Sequence, residues 1–201
     1  MAEVTIVLLA GGAATRLPGK LALPLNGEPL LIGIYRRLTA DGTPCILSVR
    51  DRLDPRLADL ISCEIVTDEI SDGGPLGAVL SCARKVRTPL FVAVAGDLPD
   101  IDSGFIAKLL KTFQDREAAG NAPDAVLPTW PDGKVEPLAA LYATAPWIGG
   151  AQRALAAGRR KVTAALDGLK VAAYHVTSED ERMLANINTP EDYERAVKIS
   201  R

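Results

Sequence analysis

Val4-Thr-Ile-Val-Leu-Leu-Ala-Gly-Gly12 is an almost unbroken β-branched and aliphatic run that stops at two adjacent glycines. A strand with one wet face alternates apolar and polar residues. A short apolar run without that alternation reads as a strand of a parallel sheet covered on both sides. Leu90-Phe-Val-Ala-Val-Ala95 repeats the pattern and also ends in glycine, Gly96. Around these two, the spacing predicts a helix over residues 29–40 with Pro29 in its first turn, a strand over 45–49, a short helix over 55–61 and a strand over 63–66. A helix follows the glycine-rich stretch 73–77 and runs to about 86, and another covers 106–113 and extends towards 119. Strands at 125–127 and 138–142 flank a turn at Pro131-Asp-Gly133; then come a helix over 145–157, a short one after Lys161, a strand over 171–176 and a last helix over 190–198. Strand and helix alternate through the first 115 residues, which predicts an α/β sandwich with a mostly parallel sheet.

The 201 residues are expected to form a single domain in two parts, 1–120 with the parallel-type units and 121–201 as a substrate-side extension of the same sheet. Composition is 48% hydrophobic, 24% charged and 4% aromatic, the profile of a packed core rather than a disordered chain. Lys plus Arg number 23 against 25 for Asp plus Glu, a net charge of −2, so a nucleic-acid backbone is not an expected partner. The start of the chain lacks the pattern of a signal peptide and no stretch approaches the ~20 apolar residues of a membrane span, so a cytoplasmic protein without membrane contact is expected. Cys45, Cys63 and Cys82 have no zinc-type spacing and read as buried thiols. The single histidine, His175, lies in an apolar run and reads as a strand residue without catalytic duty, which leaves chemistry to lysine, arginine, carboxylates and backbone.

In an open parallel sheet, ligands gather beyond the carboxyl ends of the strands. There the first strand runs into Leu9-Ala-Gly-Gly-Ala-Ala-Thr-Arg-Leu-Pro-Gly-Lys20, where glycines let a ligand approach the backbone and Arg16 and Lys20 bring positive charge to a phosphoryl centre. The stretch is neither a P-loop, because Gly12 and Gly19 are too far apart and Leu21 replaces the metal-binding hydroxyl, nor a G-x-G-x-x-G fingerprint, because Ala13 and Ala14 interrupt it. Asp97, just past the strand at 90–95, is the expected ligand of Mg²⁺ bridging nucleotide phosphates; Asp102 is the better cap for the following helix. Asp68 follows the strand at 63–66 and is placed to contact ribose or phosphate.

Six segments together resemble the molybdenum cofactor guanylyltransferases of the nucleotidyltransferase superfamily: Leu9-Ala-Gly-Gly12 with Arg16 and Lys20, Leu25-Asn-Gly-Glu-Pro-Leu30, Gly74-Pro-Leu-Gly77, Gly96-Asp-Leu-Pro99, Glu136-Pro-Leu-Ala-Ala-Leu-Tyr142 and Asn186-Ile-Asn-Thr-Pro-Glu191. The resemblance implies a Rossmann-like three-layer sandwich and transfer of GMP from Mg-GTP to the phosphate of molybdopterin, with release of pyrophosphate. It further implies that Leu9, Ala10, Gly11 and Gly12 hold the nucleotide through their backbone. Lys20 would meet its phosphates, Asp97 both nucleotide and Mg²⁺, and Ser48 and Asp68 the nucleotide, while Gly74, Pro75, Leu76 and Gly77 would border guanine. Asn186 and Asn188, with Arg160 and Lys161, would face the pterin acceptor. Arg16, Lys20 and Asp97 form the expected catalytic set. A molybdenum insertase or molybdoenzyme chaperone is the kind of partner the family implies, and the chain itself is expected to be a monomer or a weak homo-oligomer. The first loop departs from the family's Arg-Met-Gly-x-Asp-Lys: Arg16-Leu-Pro-Gly-Lys20 is shorter and lacks the aspartate. Arg16-Leu-Pro is also similar to the Thr-Arg-Leu-x-Pro of sugar nucleotidyltransferases, which keeps a cytidylyl or sugar-1-phosphate nucleotidyltransferase as an alternative, alongside a non-catalytic nucleotide or cofactor carrier.

Overall fold

The computed structural model describes residues 4–11, 17–70 and 72–199. The opening run is strand β1 (Val4–Leu9). It is followed by a two-strand ribbon, β2 (Pro24–Leu25) and β3 (Glu28–Pro29), then helix α1 (Leu30–Thr39), β4 (Cys45–Val49), α2 (Pro55–Ala58) and β5 (Glu64–Thr67). Helix α3 (Gly74–Ala83), β6 (Leu90–Ala95), α4 (Ser103–Ala118), β7 (Ala125–Thr129), β8 (Ala139–Ala143) and α5 (Thr144–Ala156) come next. The chain then forms β9 (Val171–His175), α6 (Ser178–Met183) and α7 (Pro190–Ile199).

Seven strands form one sheet in the order β5-β4-β1-β6-β8-β7-β9. β1 pairs in parallel with β4 on one side and β6 on the other, β4 with β5, and β7 with β9. Only β8 runs against its neighbours, antiparallel to both β6 and β7. The sheet is therefore mostly parallel, as the alternation of strands and helices predicts, and it takes strands from both parts of the chain.

The run at β1 is apolar throughout because both of its faces are covered. Ile6 and Leu8 join the core beneath α1 and α4, whereas Val7 joins the core beneath α3 and α5. All three are inaccessible to solvent. β6 behaves alike, with Val92 and Val94 on one side and Phe91 and Ala93 on the other. Phe91 meets Trp147 edge-on, with ring centroids 5.3 Å apart, a geometry that favours aromatic pairs.

The differences from the sequence reading lie in short elements. Pro29 precedes α1 rather than sitting in its first turn, because it pairs with Pro24 in the ribbon. The ribbon turns through Asn26 and Gly27, both at positive φ, the conformation that an Asn-Gly pair favours. The glycine-rich stretch 73–77 is largely the first turn of α3 rather than a loop before it. The six residues of α6 form a further helix, started by a capping box between Thr177 and Asp180. Asp102 caps α4, its carboxylate accepting from the Phe105 N–H at 3.0 Å.

Cys82 is buried, and burial pushes its thiol up to about 12. Cys45 and Cys63 are only half-buried and face each other across β4 and the start of β5. Their hydrogen bond raises the Cys45 thiol, an effect that burial reinforces, and lowers the Cys63 thiol.

Candidate active site

The sheet order reverses between β1 and β6: the chain builds outward from β1 to β4 and β5, then returns to place β6 on the other side. Such a reversal leaves a crevice beyond the carboxyl ends of the two strands. The Gly96 N–H donates to the Leu9 carbonyl at 2.9 Å and joins the two ends. A Cβ on Gly96 would lie 2.6 Å from that same carbonyl oxygen, so only glycine lets the strands approach this closely. Gly96→Ala is expected to cost about 1–3 kcal/mol through overpacking. A thermal melt checks this, and an unchanged midpoint would show that the junction yields without strain.

Asp97 follows directly. Its Oδ2 accepts from the Lys20 ammonium at 2.8 Å, and its Oδ1 lies 3.4 Å from the Asn186 amide nitrogen. Lys20 rises from a short 3₁₀ turn over Lys20–Ala22, entered through Gly19 at a φ of 70°. Its ammonium also donates to the Ile187 carbonyl at 2.9 Å and to Asn188 Oδ1 at 3.0 Å. The Lys20 and Asp97 side chains are 11% and 18% exposed, so the charge pair is largely, though not wholly, withdrawn from water. Lys20, Asp97, Asn186 and Asn188 thus form one cluster, although the sequence reading divides them between nucleotide and acceptor.

Leu9, Ala10 and Gly11 lie at the crevice, half-buried, with the Ala10 N–H donated to the Ser48 carbonyl at 2.8 Å. Gly12 and Arg16 lie outside the described residues. Ser48 is 1% exposed near the end of β4, so its hydroxyl is buried in the protein.

A second group lies at the start of α3. Asp68, just past β5, accepts from the Ile70 N–H at 3.2 Å, and its carboxylate at 3.4 Å and the Gly77 carbonyl at 3.0 Å share the single proton of the Ser81 hydroxyl. Asp68 and the segment 74–77 are therefore neighbours. The glycines here also serve packing: a Cβ on Gly73 would come within 2.8 Å of the Gly77 Cα and the Ile70 Cγ2. Arg160 belongs to this group. Its carbonyl accepts from the Leu76 N–H at 3.3 Å, and a Cβ on Gly74 would lie 3.3 Å from the Arg160 Cβ. Arg160 and Lys161 are exposed, and the hydrogen bonds of the described residues do not join them to Asn186 and Asn188.

Glu136 enters the site without a role assigned from sequence beyond its place in a motif. It sits between β7 and β8, and its carboxylate accepts from the Leu138 N–H at 3.1 Å, while the Leu138 carbonyl accepts from the Ala95 N–H at 2.8 Å. Burial raises its carboxyl above the ordinary range, and the negative charge of Asp97 adds to the rise. A carboxylate directly before a proline, three residues ahead of β8, was the available signal. His175 is exposed on β9, three strands from β6.

Among the described residues there is no group of three or more His, Cys, Asp or Glu side chains poised to hold a metal. That suits an ion arriving with a nucleotide: Mg²⁺ commonly keeps several waters and binds through one or two carboxylates plus substrate phosphates. Asp97, partly exposed at the mouth of the crevice, has the donor chemistry for such an ion.

A family model described as the MobA-like NTP transferase domain matches residues 6–173. The chain belongs to that family. A molybdenum cofactor guanylyltransferase of Burkholderia vietnamiensis is 33% identical, the match covering 93% of this chain and 92% of the relative. A probable molybdenum cofactor guanylyltransferase of Natronomonas pharaonis is 29% identical, with 98% of each chain covered. Among solved structures, molybdopterin-guanine dinucleotide biosynthesis protein A of Archaeoglobus fulgidus superposes with a TM-score of 0.78 at 26% identity, covering 97% of both chains. This member of the MobA-like NTP transferase family is a nucleotidyltransferase, with the α/β fold of that class. No described helix is long and apolar enough to cross a membrane.

Proposed function

We propose that this nucleotidyltransferase moves GMP from GTP to the terminal phosphate of molybdopterin, using Mg²⁺, and releases pyrophosphate. The observation that carries the reading is the ammonium–carboxylate pair of Lys20 and Asp97 at the β1–β6 junction, in contact with Asn186 and Asn188. The names of the relatives support guanine as the base and a molybdenum cofactor as the acceptor.

An oxygen of the acceptor phosphate attacks the α-phosphorus, and the bond from that phosphorus to the β-bridging oxygen breaks. The backbone of Leu9–Gly12 and the segment 74–77 hold the nucleotide, with Asp68 beside them. Lys20 and Arg16 place positive charge against the phosphoryl oxygens, where charge is redistributed in the transition state. Asn186 and Asn188 orient the acceptor. Asp97 and the triphosphate would hold Mg²⁺, which supplies charge neutralisation and a template for the phosphates. The nucleophile is already an anion, so the transfer needs no strong general base.

Pyrophosphate release measured with GTP, CTP, UTP and ATP, with and without molybdopterin, tests the proposal. Release is expected with GTP and molybdopterin together. Thermal stabilisation in Mg²⁺ should likewise follow GTP, since a ligand that binds the folded state at 100 times its Kd adds about 2.7 kcal/mol. Stabilisation by CTP and not GTP would overturn the guanylyl assignment in favour of cytidylyl transfer.

A further inference from the structure

Lys20 holds more than a carboxylate. An ammonium group has three N–H donors, and here all three are taken: one by Asp97, one by the Ile187 carbonyl and one by Asn188 Oδ1. Two of these acceptors belong to the connection between α6 and α7. Its other anchor on the sheet is Ile187, whose side chain is buried in the core. The Asn188 and Thr189 N–H groups turn inward to the Asp192 carboxylate at 3.1 and 3.0 Å. The Ile187 N–H reaches the Asp97 carbonyl at 2.9 Å, and Ile187 is 2% exposed. Segment 186–188 is thus seated on the end of β6 by the buried Ile187 side chain and by its polar contacts with Lys20 and Asp97.

We propose that Lys20 is a positioning residue that docks the acceptor-side asparagines onto Asp97, and that a divalent cation competes with its ammonium for that carboxylate. In the ligand-free protein, the ammonium neutralises Asp97. When a cation takes over that task, Lys20 keeps the Ile187 carbonyl and Asn188 and frees one donor for a phosphate oxygen. Nucleotide entry on one side of the crevice and the seating of Asn186 and Asn188 on the other then become one linked event. Only this last step rests on the proposed function; the docking and the competition do not.

Amide exchange followed by NMR on the ligand-free, full-length protein tests the docking. In Lys20→Met, the Ile187 amide is expected to exchange about tenfold faster or more, as the loss of buried hydrogen bonds to a charged group would allow. The Asn188 and Thr189 amides, held by Asp192, and those of β1 and β6 should keep their wild-type rates. An unchanged Ile187 rate overturns the docking role. If Lys20→Met does not fold, Asn188→Ala removes a single exposed acceptor; a faster Ile187 amide supports the tether and an unchanged one refutes it. Titration with Mn²⁺ alone tests the competition: Lys20→Met should bind the ion several-fold more tightly than wild type, and equal or weaker binding overturns it. Neither measurement involves GTP or an acceptor, so either can fail while guanylyl transfer stands, and the reverse.

Discussion

Asp97→Ala is expected to lower the rate of pyrophosphate release by roughly 10²- to 10³-fold at saturating GTP, Mg²⁺ and molybdopterin, the size of effect seen when a preorganised charged or polar group is lost from a transition-state site. The carboxylate lies where the reacting phosphates should gather, one residue beyond the glycine that joins β1 to β6. Its removal also leaves the Lys20 ammonium, 11% exposed, with two neutral acceptors and no counter-charge. Breaking a buried pair from one side can destabilise a protein by 3–5 kcal/mol, although the partial exposure of this one reduces that figure. Asp97→Asn separates the two effects. It retains an acceptor for Lys20 and the same shape, so its melting point should stay nearer to wild type while its turnover falls as far. Wild-type turnover in Asp97→Asn would remove Asp97 from the chemistry.

The second large effect lies at Asp180, away from the crevice. Its carboxylate is fully buried and accepts from Lys108 at 2.7 Å, the Tyr174 hydroxyl at 2.8 Å, the Thr177 N–H at 2.9 Å and the Thr177 hydroxyl at 2.7 Å. Burial opposes ionisation, but Lys108 and these hydrogen bonds outweigh it and hold the carboxyl at about 2, below its ordinary 3.8. The group's contribution to stability is therefore fully present above the unfolded value, near 4, and is lost as pH falls through 2. The difference corresponds to about 2 kcal/mol. Asp180→Ala removes the Asp180 half of the capping box of α6 and leaves the Tyr174 hydroxyl and the Lys108 ammonium without their acceptor, for an expected loss of about 3 kcal/mol at neutral pH. At roughly 2–4 °C per kcal/mol for a chain of this size, the melting point should fall by about 6–12 °C. The variant should also lose part of the wild-type acid sensitivity between about pH 4 and 2; parallel stability curves for the two proteins would show that Asp180 is not the group titrating there. Tyr174 gives the matching signal at high pH: burial, then its hydrogen bond to Asp180, pushes its hydroxyl up to about 12.

What could be read from the sequence depended on how a residue's signal is carried. β1 and β6 are legible because a strand covered on both faces needs only an apolar, β-branched composition, which survives without knowledge of its neighbours. The ribbon of β2 and β3 is too short for any periodicity to register, though Asn26-Gly27 marks its turn. α6 likewise has only six residues, and its cue is the Thr177-x-x-Asp180 spacing of a capping box. Lys20 and Asp97 stand out as charges placed just past buried strands or their loops. Their union with Asn186, Ile187 and Asn188 has no local signature, because it is made by the path of the chain after β9. Arg160 shows the same limit. Its basic neighbours suggest an anion site, but the backbone carries it to the first turn of α3, and nothing in the segment 158–161 announces that contact.

The cluster at Lys20 also sets an order on synthesis. The lysine meets Asp97 across 77 positions of the chain, but Ile187 and Asn188 across 167 and 168. A growing polypeptide can pair β1 with β6 as soon as both have left the ribosome, and contacts of such long range are slow to form in any case. Until residues 187 and 188 follow, the ammonium has only one of its three acceptors. The crevice is thus completed late, and a nascent chain arrested before that point carries β1 and β6 without the segment that completes the Lys20 cluster.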